Sequence, residues 1–131
     1  MAGIKLDGAG IQKMKTIDEA YILLQRLHGI VELYALSLKQ NKPTSLYGMQ
    51  VKRALFPLVG MLKPQFGLIA DQVSSIALIA TRGGSEQAKI RVLREGVASI
   101  RMQLDIAVVR IKDNHAEKEE PAEPGARKPG E

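Results

Sequence analysis

The sequence contains no cysteine and no tryptophan. Without cysteine there is no disulfide, no thiolate metal site and no cysteine nucleophile, a pattern that fits a reducing compartment. Only two histidines, His28 and His115, are present, too few for a histidine-based zinc site within one chain. No apolar run approaches the ~18 to 20 residues of a membrane span, and the opening MAGIKLDGAG lacks the apolar stretch of a secretory signal. The expectation is a soluble cytoplasmic protein with no metal and no cofactor. Aromatic residues are scarce, three Tyr and two Phe, so a core has to be built from Leu, Ile, Val, Ala and Met. No alternating apolar and polar run is bounded by Asn-Gly or Asp-Gly, which argues against a sheet.

Helical periodicity is what the sequence has in quantity. At 131 residues and 45% hydrophobic, the chain fits one domain with one core. Residues 1–15 hold glycines and lysines without a sustained apolar period and read as a flexible leader. Thr16-Ile17-Asp18-Glu19 has the form of a capping box, T-x-x-E. From it Ile17, Ala20, Leu24, Leu27, Val31, Tyr34 and Leu38 recur at threes and fours, predicting a helix over about 17–40 with His28 on or beside its apolar face. Asn41-Lys42-Pro43 ends it. A second helix, about 46–62, is capped by Thr44 or Ser45 and carries Pro57, which predicts a kink through loss of a hydrogen bond to the Arg53 carbonyl. A third, about 66–82, closes at Arg82-Gly83-Gly84.

The fourth helix, about 86–113, starts at the cap Ser85 with Glu86 in its first turn. Ile90, Leu93, Val97, Ile100, Leu104, Ala107 and Ile111 follow at alternating spacings of three and four, a heptad seam. Arg91 with Glu95 and Arg101 with Asp105 are spaced to pair along the helix. Residues 114–131, rich in Glu, Pro and Gly, cannot bury enough apolar surface to order and read as a disordered tail. The fold class is all-α: an up-and-down four-helix bundle over 16–113, its short links making neighbours antiparallel.

No reaction can be assembled from these residues. Between Lys39 and Lys112 the acids are Asp71, Glu86, Glu95 and Asp105 alone, and neither an acid and base pair nor a nucleophile beside a base is visible. The chain is expected not to be an enzyme. Charge is the remaining signal. Residues 1–112 carry 16 bases against 8 acids, and Lys39 to Lys112 carry 12 of those bases. Such a field attracts polyanions, and nucleic acid is the commonest cytoplasmic one; it also serves simply to keep a surface soluble. The candidate contacts are Arg91, Arg94 and Arg101 with Lys89 on helix 4, Lys52 and Arg53 on helix 2, and Arg82 in the turn before helix 4. That turn, Arg82-Gly83-Gly84-Ser85, is either an anion site at a helix N-terminus or an ordinary capped turn. Contacts of this kind hold phosphates and do not read bases.

The stretch from Arg53 to Ile111 carries an aromatic-Pro pair, Phe56-Pro57, then Pro64 and Phe66-Gly67 at the next turn, then Leu93-Arg94 and Ile100-Arg101 with Leu104 on the last helix. In this it resembles the four-helix proteins encoded in intervening sequences of bacterial large-subunit ribosomal RNA genes. It is still more similar to their relative, the accessory variability determinant of diversity-generating retroelements. The resemblance implies a ring-like homo-oligomer, a homopentamer, with a basic surface. It further implies a non-catalytic accessory protein that partners a reverse transcriptase and its template RNA during mutagenic copying, with Arg53, Arg91, Arg94 and Arg101 on the matched helices as the RNA-binding residues. Here a long helix precedes the matched block. A protein-interaction bundle with no nucleic-acid role is the alternative reading.

Overall fold

The computed structural model describes residues 5–116. Four helices follow one another, α1 (Gly8–Lys39), α2 (Tyr47–Leu62), α3 (Gly67–Thr81) and α4 (Glu86–His115), and no strand is present among the described residues. α1 packs on α2 and α4, and α3 packs on the same two, so α1 and α3 occupy opposite corners of the bundle, as do α2 and α4. This is the all-α four-helix bundle that the periodicity predicts.

Among the described residues no charged residue is buried and the buried side chains are apolar apart from the Tyr34 hydroxyl, though the half-buried Gln72 has its Oε1 shielded from solvent without a hydrogen-bond partner. α1 contributes Ile17, Ala20, Leu24, Leu27, Val31 and Tyr34, and α4 contributes all seven members of its heptad seam. That seam is therefore used on the chain's own core and is not offered to another protein. Val51, Leu55, Leu58 and Leu62 of α2, with Ile69, Val73, Ile76 and Ala80 of α3, close the interior.

α1 begins much earlier than its sequence suggests. Residues 8–15 are helical, so from Gly8 onward the expected leader is the first two turns of α1. Asp7, not Thr16, is the N-cap: its carboxylate accepts from the Gly10 N–H at 2.7 Å. Thr16 lies inside the helix and donates its hydroxyl to the Gln12 carbonyl at 3.2 Å, which rules out the capping box. The early start is possible because the N-terminal segment is docked on the end of α4. The Asp7 N–H donates to the His115 carbonyl at 2.9 Å, and the Asp7 carboxylate lies 3.2 Å from His115 Nδ1. Lys13 Nζ is 3.1 Å from the other ring nitrogen, Nε2. Gly10 allows this approach: a Cβ there would sit 2.5 Å from the His115 Cβ.

Two further expectations are corrected. The fourth helix continues through Asn114 to His115; the rest of the expected disordered tail, beyond residue 116, lies outside the described residues, as do residues 1–4 of the leader. His28 is exposed, because the core arc of α1 runs through Leu24, Leu27 and Val31 and passes to one side of it. Pro57 is inside α2 with its ring exposed. No side chain caps α2; the Thr44 hydroxyl donates instead across the bundle end to Glu86 Oε1 at 2.6 Å.

Candidate nucleic-acid interface

The antiparallel pairing of α1 and α4 brings the last turns of α1 beside the first turns of α4. A groove of about 490 Å³ lies there, with Ala35, Leu38 and Ile90 as its floor and Lys39, Arg91 and Arg94 as its cations. Two of these were expected candidates. Lys39 was not among them, since its role depends on which helix lies next to α1, and periodicity within one helix does not say so.

Acidic neighbours temper the charge. Arg94 binds Glu32 of α1 through two parallel hydrogen bonds, Nε to Oε2 at 2.8 Å and Nη2 to Oε1 at 2.7 Å. The hydrogen bonds from Arg94 hold the Glu32 carboxyl below its ordinary range, and Glu32 in turn raises the guanidinium. Glu95 also lines the groove. Arg91 forms no hydrogen bond or ion pair with any described residue, so it presents its full charge to solvent. The expected pairs within α4, Arg91 with Glu95 and Arg101 with Asp105, do not form among the described residues. Arg101 donates to Gln25 at 3.1 Å, and Asp105 accepts from the Tyr21 hydroxyl. Both partners come from α1, whose side chains reach over the seam and win because they are already held close by core packing.

The remaining candidates are scattered. Lys52 and Arg53 are exposed on α2, the corner opposite α4, so they do not join the groove. Lys89 is half-buried on the lining of a separate cavity of about 300 Å³ with Tyr34, Thr44, Gly48 and Glu86. Arg82 is exposed in an extended backbone after α3, and Gly84 beside it has φ +118°. The turn serves as a capped link: the Ser85 hydroxyl accepts from the Ala88 N–H at 3.3 Å. The Glu86 carboxylate, held below its ordinary range by hydrogen bonds from Thr44 and Tyr34, already places negative charge at that helix start, which disfavours a second anion there.

Among the described residues no group of histidine, aspartate and glutamate side chains could hold a metal ion, and no helix is long and apolar enough to cross a membrane. Compared with protein-family models, with curated proteins and with solved structures, the chain matches none.

Proposed function

We propose that the protein is a non-catalytic, homo-oligomeric accessory protein that binds RNA by its sugar-phosphate backbone and works beside a reverse transcriptase, in the manner of the accessory variability determinants it resembles. The observation that supports the binding is the α1–α4 groove, where Lys39, Arg91 and Arg94 surround an apolar floor. Guanidinium groups suit phosphate because their planar N–H forks meet two oxygens at once. Leu38 and Ile90 offer a surface for the less polar edge of a sugar. Nothing in the groove is arranged to read base edges, so the binding is weakly dependent on sequence. The reverse transcriptase, the ring-like arrangement and the cytoplasmic setting are drawn from the resemblance and from composition.

The test is fluorescence anisotropy with a labelled single-stranded RNA across a salt series. The expected result is binding whose log affinity falls linearly with log salt, by about 0.7 per phosphate neutralised. Replacing Lys39, Arg91 and Arg94 together by Gln abolishes it while the helical circular dichroism spectrum and the oligomer stay intact. Absence of RNA affinity at low salt in the unaltered protein refutes the reading.

A second reading, a bundle that acts purely through protein contacts, is favoured by the exposed side chains of Leu68, Met102 and Ile106. It predicts that the triple substitution changes no binding at all.

A further inference from the structure

Two apolar features lie on different sides of the bundle. One is a groove of about 450 Å³ between the start of α3 and the second half of α4, bordered by Leu68, 85% exposed, Met102, 63%, and Ile106, 47%. The other is the N-terminal half of a ridge on the outer side of α1, where Ile11 is 59% and Ile22 57% exposed; the same line runs on to Leu33, 56% exposed, beyond the level of the groove. Eleven residues make just over three whole turns, so these two isoleucines stand on one line along the helix. Since α1 and α3 occupy opposite corners, ridge and groove face different ways.

We propose that copies of this chain associate head to tail, the α1 ridge of one copy seated in the α3–α4 groove of the next. The inference rests on the homo-oligomer in the proposed function and is independent of its nucleic-acid part. A two-fold contact needs one self-complementary patch; two unlike patches on separate sides are what a heterologous contact needs, and such contacts close into rings when the rotation allows.

The levels of the two features along the bundle agree. Lys13 meets His115, Tyr21 meets Asp105 and Gln25 meets Arg101 across the α1–α4 seam, so Ile22 is level with Leu104 and Ile11 with the end of α4. The α3–α4 contact of Gln72 with Ser99 puts Leu68 level with the same part of α4. In a ring whose axis runs along the bundle, neighbours sit at one height, and Ile22 then arrives between Leu68, Met102 and Ile106 without any shift.

The charges agree in the same register. Between the two isoleucines and nearest their line α1 exposes Lys15 and Asp18, with Glu19 turned to the side of the helix; at the matching levels the outer face of α4 exposes Asp113 and Arg110, with Lys112 turned toward α1. Base therefore faces acid and acid faces base. Among the described residues none of the four has a hydrogen bond or ion pair within its own chain. Placing Arg110 opposite Lys15 or Asp113 opposite Asp18, as a slip by one turn would, sets like charges together.

Sedimentation of the full chain tests this. The unaltered protein is expected well above its monomer mass of 14.3 kDa. Ile22→Glu, which spoils the ridge, and Met102→Glu, which spoils the groove, each yield monomers with an unchanged helical spectrum, both side chains being exposed. Mixed one to one, the two monomers form a dimer and nothing larger, because one intact ridge meets one intact groove. Asp18→Arg lowers the assembled fraction, and adding Arg110→Asp restores it. A monomeric unaltered protein overturns the proposal, and so does an assembly that survives either glutamate variant, a mixture that stays monomeric, or a double charge variant no better assembled than the single one. The RNA titration is read separately: an assembled protein without RNA affinity removes the nucleic-acid reading and leaves this contact standing, and a monomeric protein that binds RNA does the reverse.

Discussion

Arg94 of α4 and Glu32 of α1 form a bidentate pair whose side chains stay 51% and 41% exposed. At that exposure solvent screens the attraction, so the pair adds little to stability; its larger effect is to occupy a cation of the candidate RNA groove. Glu32→Gln is expected to leave the thermal midpoint nearly unchanged and to tighten RNA binding, with the salt dependence steepening by up to about 0.7 in log–log slope, the share of one further phosphate. Arg94→Gln weakens binding. Equal affinity in both variants and the parent would remove Arg94 from the interface.

Two of the three tyrosines are held protonated. Burial and the hydrogen bond to Glu86 push the Tyr34 phenol up to about 12, and burial and the bond to Asp105 push Tyr21 up to about 12 as well. A raised folded value means that the folded state holds its proton more tightly than the unfolded one. The stabilisation is therefore complete below the ordinary tyrosine value of 10 and is lost as pH climbs toward 12. Ultraviolet titration of tyrosinate should show two phenols ionising late, and Glu86→Gln should lower one of them. Titration of all three at the ordinary value would contradict the network.

The carboxylates act in the opposite sense. Glu86 is lowered from its ordinary 4.5 by Thr44 and Tyr34, and Glu32 by Arg94. Here the unfolded chain binds protons more readily, so stability is present above 4.5 and falls as pH drops below it. Thermal melts on the acid side should show the midpoint declining through this window, and Thr44→Val should flatten the decline. A midpoint insensitive to acid would show that these bonds do not persist in solution.

How much of this was legible in the sequence depends on how local the cause is. The heptad seam of α4 and the core positions of α1 from Ile17 to Tyr34 follow from spacing alone, because burial repeats with the turn of the helix. The start of α1 did not, since Gly8 and Gly10 weaken a helix in isolation and are offset by docking on His115, more than 100 residues away. Thr16 shows the same limit: a capping pattern competed with a continuing helix, and tertiary contact decided. The arginines were visible, but Lys39 joined them only once α1 and α4 were side by side. Arg53 failed to join because α2 sits at the far corner, a matter of bundle order that no single helix records.

Close backbone approach supplies the last test. The α2 glycine Gly48 lies against α3, where a Cβ would come within 2.7 Å of the Ala80 carbonyl oxygen. A backbone oxygen cannot swing aside as a side-chain end can, so Gly48→Ala must part α2 from α3. It also disturbs the bundle end where Tyr34 and Thr44 meet Glu86. Overpacking of this kind costs about 1–3 kcal/mol, partly offset by the better helix propensity of alanine, about 1 kcal/mol. Gly60→Ala, on the same helix with nothing within 4 Å of its Cβ, gains the propensity without the clash and should be neutral or stabilising. Chemical denaturation of the two variants gives the comparison directly. Similar stabilities would mean that α2 can move off α3 at little cost, and that the bundle end is looser than its hydrogen bonds imply.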